Sequence, residues 1–150
     1  MAKFRYRMQN ILDVKEKLET QAKNEFAIAA AVVNEEEDKL KALNIRLEEY
    51  RDYLRKIQTG DLNFKTIKET TQAIEAMKYL IENQKKVLKK AETVLEMRRV
   101  ALAEAMQDVK THEKLKERQF NEFMAEEAAK ESKEIDELVS YRFGQDSSGN

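Results

Sequence analysis

Thr59-Gly60-Asp61-Leu62-Asn63 is the one internal cluster of turn-forming residues in a chain of 150 residues that has no proline and three glycines. The other glycines, Gly144 and Gly149, fall in a polar C-terminal stretch. Gly, Asp and Asn accumulate in turns because they tolerate unusual backbone angles or hydrogen-bond their own backbone. A chain with a single internal mark of this kind reads as two long helices with one break. A short break forces the two arms antiparallel, so the expected fold is all-α: an antiparallel two-helix coiled-coil hairpin with a longer second helix.

Working back from the cluster, apolar residues fall at Leu40, Leu43, Leu47, Tyr50, Leu54 and Ile57. Their steps alternate three and four, the a/d spacing of a left-handed coiled coil. Val33, Ala29 and Phe26 continue it, with Glu36 as a charged interruption. Further back, Ala22, Leu18 and Val14 are four apart, which predicts a local stutter between residues 14 and 26. Working forward, Ile74, Met77, Ile81, Gln84, Leu88, Ala91, Leu95, Arg98, Leu102, Ala105, Val109 and His112 repeat the three-four pattern. Leu115, Phe120, Phe123, Ala128, Ile135 and Leu138 extend the apolar face less regularly.

The expected organisation is one antiparallel coiled coil over residues 1–143. Helix 1 is expected at about 3–58, the turn at about 59–65, helix 2 at about 66–142, and a flexible tail at 144–150. Thr66-Ile67-Lys68-Glu69 fits a capping box for the second helix; Asp61 and Asn63 are equally allowed N-caps. A turn centred near residue 61 or 62 makes facing residue numbers sum to roughly 120 to 124, by hairpin geometry. That register pairs Leu43 with Ile81, Ala22 with Leu102 and Ile11 with His112, and sets Glu36 beside Gln84, Lys85 and Lys86. At ~1.5 Å per residue the arms span roughly 85 and 115 Å. Residues 120–143 are therefore expected to overhang, carrying Phe123, Ile135, Leu138, Val139, Tyr141 and Phe143. Exposed apolar residues at helical spacing mark a docking surface or a dimer contact.

Composition narrows the function. Charged residues make up 38% and apolar residues 41%, typical of long helices, and the regular apolar spacing argues against disorder. A net charge of −1 offers no global field for nucleic acid or an anionic membrane. The absence of cysteine removes disulfide and thiolate chemistry and fits a reducing compartment. Lys3, Arg5 and Arg7 are followed too soon by Asp13, Lys15, Glu16 and Lys17 for a signal peptide or a membrane span, which points to a cytoplasmic protein without direct membrane insertion.

Catalytic chemistry finds little to work with. His112 is the single histidine and falls on the expected seam, so no histidine dyad or cluster can be assembled. Gly60 stands alone, and a phosphate-binding loop needs more glycine and a Gly-Lys-Ser/Thr run. Glu35-Glu36-Glu37-Asp38 cannot converge on one cation, because successive helical residues diverge by about 100°. The chain is read as no enzyme, with no metal and no cofactor.

Charge distribution says more. Lys3, Arg5 and Arg7 alternate with Phe4 and Tyr6, and the hairpin register sets them beside the basic stretch 110–118. The far stretch, with Glu122, Glu126, Glu127, Glu131, Glu134, Asp136 and Glu137, is acidic. A solvated face is the bland reading of each charge run. Bases mixed with aromatics at one end form a stronger interaction signal. Nucleic acid is disfavoured as partner, because the neighbouring acidic stretch repels phosphate.

Phe4-Arg5-Tyr6-Arg7-Met8-Gln9-Asn10-Ile11-Leu12-Asp13-Val14-Lys15 resembles the N-terminal signature of the flagellar export protein FliJ family. The likeness continues through Glu49-Tyr50-Arg51, the glycine at the hairpin tip, Arg98-Arg99, Glu113-Lys114-Leu115-Lys116-Glu117-Arg118 and Asp136-Glu137-Leu138, in order across residues 4–143. The N-terminal block is the most specific part, since heptads match heptads. The resemblance implies a component of the flagellar type III export apparatus that is similar in fold to the central stalk of rotary ATPases. It implies three partners: the flagellar export ATPase hexamer, the cytoplasmic domain of the membrane-embedded export gate, and export chaperones. The implied ring-binding residues are Phe4, Arg5, Tyr6, Arg7, Met8, Lys114, Arg118, Phe120 and Phe123. The implied gate-binding residues are Ala73, Met77, Leu80 and Gln84. The competing expectation is a general coiled-coil chaperone or tether that binds clients through the overhang.

Overall fold

The computed structural model describes residues 2–148 and contains two helices, α1 (Gln9–Ile57) and α2 (Phe64–Ser148), which pack as an all-α helical hairpin. The chain divides into two compact units. One joins Met1–Glu19 to Ala105–Asn150, and the other is Thr20–Glu104.

In the second unit the helices meet over Leu47, Ile74 and Ile81, with Leu40, Leu43, Tyr50, Leu54 and Met77 packed against them. These are the alternating three-four positions of both arms, so this part of the core is the seam expected from spacing. Gln84 Nε2 donates to the main-chain oxygen of Glu36 at 3.1 Å and also to its carboxylate. Arg98 Nη1 lies 3.1 Å from Glu25 Oε2. Both pairs obey the expected numbering sum. The cation beside Glu36 is not Lys85 or Lys86: Lys39, one turn away on its own helix, supplies it at 3.3 Å. Lys85 instead pairs with Glu82 at 3.4 Å.

The turn is built by its flanks. Thr59 Oγ1 donates to the Lys56 carbonyl at 2.8 Å and its N–H reaches the same oxygen at 3.3 Å, closing the last turn of α1. Asn63 caps α2: its Oδ1 accepts from the Thr66 N–H at 3.3 Å, and its carbonyl accepts from the Ile67 N–H at 3.0 Å. Helix α2 therefore starts at Phe64, ahead of the expected 66. The Thr66–Glu69 capping box is not used, because Thr66 already lies inside the first turn and Asn63 holds its N–H. Gly60 has a negative φ, and a Cβ placed on it would meet nothing within 4 Å.

Two other boundaries move. Helix α1 begins at Gln9, not near residue 3, since the preceding segment follows a two-residue period. Phe4, Tyr6 and Met8 turn inward while Arg5 and Arg7 are exposed. At the other end, residues 144–148 of the expected flexible tail continue α2, and Gly149 and Asn150 lie outside the described residues. No stutter appears in α1 either. Its inward positions run Leu12, Lys15, Glu19, Ala22, Phe26, Ala29 and Val33 in unbroken three-four steps. Val14 and Leu18 stay 54% and 47% exposed, because the helix keeps its phase and accepts Lys15 and Glu19 at the edge of the seam.

Candidate interaction surfaces

The first unit is organised by its N-terminal segment. Tyr6 is 5% exposed and packs with Leu12 and Val109, with Phe4, Met8 and Leu115 around them. The Phe4 ring meets Phe120 edge-on at 5.3 Å and Phe123 at 5.5 Å, an arrangement aromatic quadrupoles favour. Two aromatics at alternate positions thus clamp an extended segment onto α2. The intervening Arg5 and Arg7 are left facing solvent.

Beside them opens a depression of about 430 Å³ lined by Phe4, Arg5, Tyr6, Arg7, Gln9, Asn10 and Lys116. Lys116 Nζ donates to Gln9 Oε1 at 2.7 Å, so the lysine of α2 is held against the first turn of α1. Three cationic side chains and the amino-terminal end of a helix share this border, a setting suited to acidic side chains of a partner. Among the described residues, the buried polar side-chain atoms without a hydrogen-bond partner are the Tyr6 hydroxyl and His112 Nδ1. His112 is half-buried in this unit, as expected of a seam residue.

The structure brings together Phe4, Tyr6, Met8, Phe120 and Phe123 as one apolar cluster with Arg5 and Arg7 on its surface. Lys114 and Arg118 are exposed on α2 and line a separate shallow surface with Glu117, Asn121, Glu122 and Ala125. Arg118 is engaged by Glu122 at 3.4 Å. Lys116 is not among the ring-binding residues that the resemblance implies, and the contact with Gln9 is what brings it to this surface. Spacing predicts Ile11, Val14 and Leu18 on the seam. They are instead 44%, 54% and 47% exposed at three-four spacing, an apolar stripe on the same unit.

The second expected surface separates into different roles. Met77 packs into the Leu47–Ile74–Ile81 core, and Ala73 is half-buried. Gln84 is committed to Glu36. Leu80 is 44% exposed and is the member of the set that offers apolar surface. The hydrogen bond from Gln84, and after it the one from Lys39, holds the Glu36 carboxyl below its ordinary value of 4.5. Among the described residues no helix is long and apolar enough to cross a membrane, and no three His, Cys, Asp or Glu side chains are grouped to hold a metal ion.

Comparison with known proteins bears on the chain as a whole. No curated protein matches the chain by sequence. Among solved structures, a YscO homologue from Chlamydia trachomatis is similar over 92% of this chain and 94% of its own, with a TM-score of 0.59 at 18% identity, a likeness that bears on the fold. The family described as flagellar FliJ protein matches residues 4–148, from the clamped Phe4 to the end of α2. A match over nearly the whole chain decides membership: the protein belongs to the flagellar FliJ family, whose members are associated with type III export.

Proposed function

We propose that the protein is a non-enzymatic stalk and coupling component of the flagellar type III export apparatus, acting in the cytoplasm and at the inner face of the membrane through its partners. Its first unit binds the hexameric export ATPase, its second unit meets the cytoplasmic domain of the export gate, and it assists delivery of chaperone–substrate complexes. The observation that carries the reading is the clamped N-terminal segment. Phe4 and Tyr6 hold Arg5 and Arg7 beside Lys116 at a fixed spacing, so the cations present a preorganised surface. Tyr6 itself is too buried to touch a partner and contributes by holding its neighbours. On the gate side Leu80 is the contact residue, with Ala73, Met77 and Gln84 setting the helix surface around it.

The test is stimulation of the cognate export ATPase. Charge reversal of Arg5, Arg7 and Arg118 to glutamate is expected to abolish stimulation while helicity is retained. Full stimulation by that variant would remove the ring placement. Leu80→Asp is expected to weaken binding to the gate domain and to leave ATPase stimulation in place.

A second reading rests on the far end of α2. Ile135, Leu138, Val139, Tyr141 and Phe143 are 50–75% exposed, as a chaperone or tether binding clients through the overhang requires. Deletion has to begin beyond Phe123, which packs on Phe4. Loss of client binding with intact ATPase stimulation in such a truncation would favour this reading.

A further inference from the structure

Along α2 in the second unit the two flanks of the seam differ in kind. One flank carries Glu82, Lys85, Glu92, Glu96 and Arg99, and closes on itself through Lys85–Glu82 and Arg99–Glu96 pairs. On the other flank Val87, Lys90, Val94 and Met97 succeed one another at steps of three, four and three, forming a second stripe independent of the buried seam. Val87 is 45%, Val94 46% and Met97 66% exposed. Helix α1 lays Ile28, 65% exposed, and Val32, 41% exposed, along the same side. Between the helices runs an apolar groove of about 440 Å³, floored by Ala29 and Ala91 and bounded by Glu25, Ile28, Val32, Lys90, Val94 and Arg98. Alanine at both floor positions brings the helices close and leaves a shallow trough between larger walls. Two helices with a small-residue floor and apolar walls leave the place of a third helix open.

We propose that this groove is a docking site for an acidic amphipathic helix of a partner protein, which completes a three-helix bundle with α1 and α2. The stripe from Val87 to Met97 is about 15 Å long, so the occupant contributes roughly three to four turns. Charge selects its chemistry. Arg98 is satisfied by Glu25 at 3.1 Å, whereas Lys90 rises from the middle of the apolar stripe with no ion pair among the described residues. An incoming helix buries the lysine stem and must place a carboxylate near its ammonium group, because an unpaired charge in a closing interface is costly. A second copy of the same face fits poorly. Laid antiparallel across the stripe, it brings the two Lys90 ammonium groups within about one helical turn of each other as water leaves. The groove lies beyond Leu80, and the inference does not depend on the gate contact.

The probe is a synthetic helix of roughly 18 residues, five turns, with leucines at a and d positions and glutamates flanking them. It is compared with a twin carrying lysines in place of the glutamates. Titrated against the full chain by fluorescence anisotropy, the acidic peptide is expected to bind at least about tenfold more tightly, the scale of one close charge pair. Lys90→Glu is expected to cancel or invert that preference. Met97→Glu, at the most exposed position, is expected to weaken acidic-peptide binding about tenfold or more with circular dichroism unchanged; Val94→Glu checks it at a second position. Failure of the acidic peptide to bind, equal binding of both peptides, or undiminished binding to Met97→Glu would each overturn the proposal. So would a dimer of the chain alone that Met97→Glu dissolves in sedimentation, since the face would then belong to a second copy.

Discussion

Gln84 of α2 donates to Glu36 of α1 twice, once to the backbone carbonyl and once to the carboxylate, at a seam position where the neighbouring core is apolar. A polar pair inside a heptad seam fixes register, because sliding either helix by a turn leaves both groups facing hydrocarbon. Gln84→Leu is therefore expected to loosen the register rather than simply stabilise an apolar seam. Cross-linking between cysteines introduced at Leu43 and Ile81 should become less efficient in this variant. Undiminished cross-linking would deny the pair its register role.

The same pair carries a pH signature. Gln84 and Lys39 hold the Glu36 carboxyl below its ordinary 4.5, so its folded value lies under its unfolded one. Linkage then makes the contribution present above the unfolded value and lost as pH falls through the lower folded value. Glu36→Gln is expected to melt at a lower temperature than the parent chain near pH 7, and the difference should shrink in acid. A constant difference between about pH 7 and pH 3 would contradict this assignment.

Phe4 tests the clamp. It is half-buried and meets two rings, so Phe4→Ala removes both aromatic contacts and part of an apolar wall. The expected loss is about 1–3 kcal/mol, below that of a fully buried phenylalanine. Amide exchange at Gln9 and Leu12, whose N–H groups donate to Tyr6 and Met8, should accelerate more than in the Leu47–Ile74–Ile81 core, where protection is expected to persist. Uniform acceleration across both regions would show that the clamp is not local.

Asn63 is the side-chain cap of α2. Asn63→Ala is expected to cost about 1 kcal/mol in thermal or urea unfolding, whereas Asn63→Asp should be close to neutral. Thr66→Ala leaves the cap intact and is expected to cost less than Asn63→Ala.

Gly60 is expected to accept alanine. Its φ is negative and the space its Cβ would fill is open, so Gly60→Ala acts on the unfolded chain and should stabilise by about 0.4–1 kcal/mol. A destabilised Gly60→Ala would show that the turn needs glycine for another reason.

Three-four spacing on both sides of residues 59–63 was enough for two antiparallel helices and for the facing of Glu36 with Gln84, since helix periodicity and a short connection are local properties. The position of Leu80 beside the seam residue Ile81, which leaves it exposed, follows the same spacing. Gly60 is the strongest local punctuation, yet Thr59 and Asn63 perform the capping.

Tertiary packing settled the remainder. The alternation Phe4-Arg5-Tyr6-Arg7-Met8 is compatible with a helical start or an extended one, and contacts with Val109, Phe120 and Phe123 of the other helix select the extended form. Val14 and Leu18 read as seam by their four-residue spacing from Ala22, but a helix held in phase by Leu12, Ala29 and Val33 turns them outward and turns Lys15 and Glu19 in. Lys116 becomes part of the basic surface only because Gln9 lies within reach. Periodicity specifies which face of a helix is apolar; which of several near-apolar faces is buried depends on the partner helix. That choice is made by contacts between residues about a hundred positions apart, such as Gln9 and Lys116 or Phe4 and Phe120.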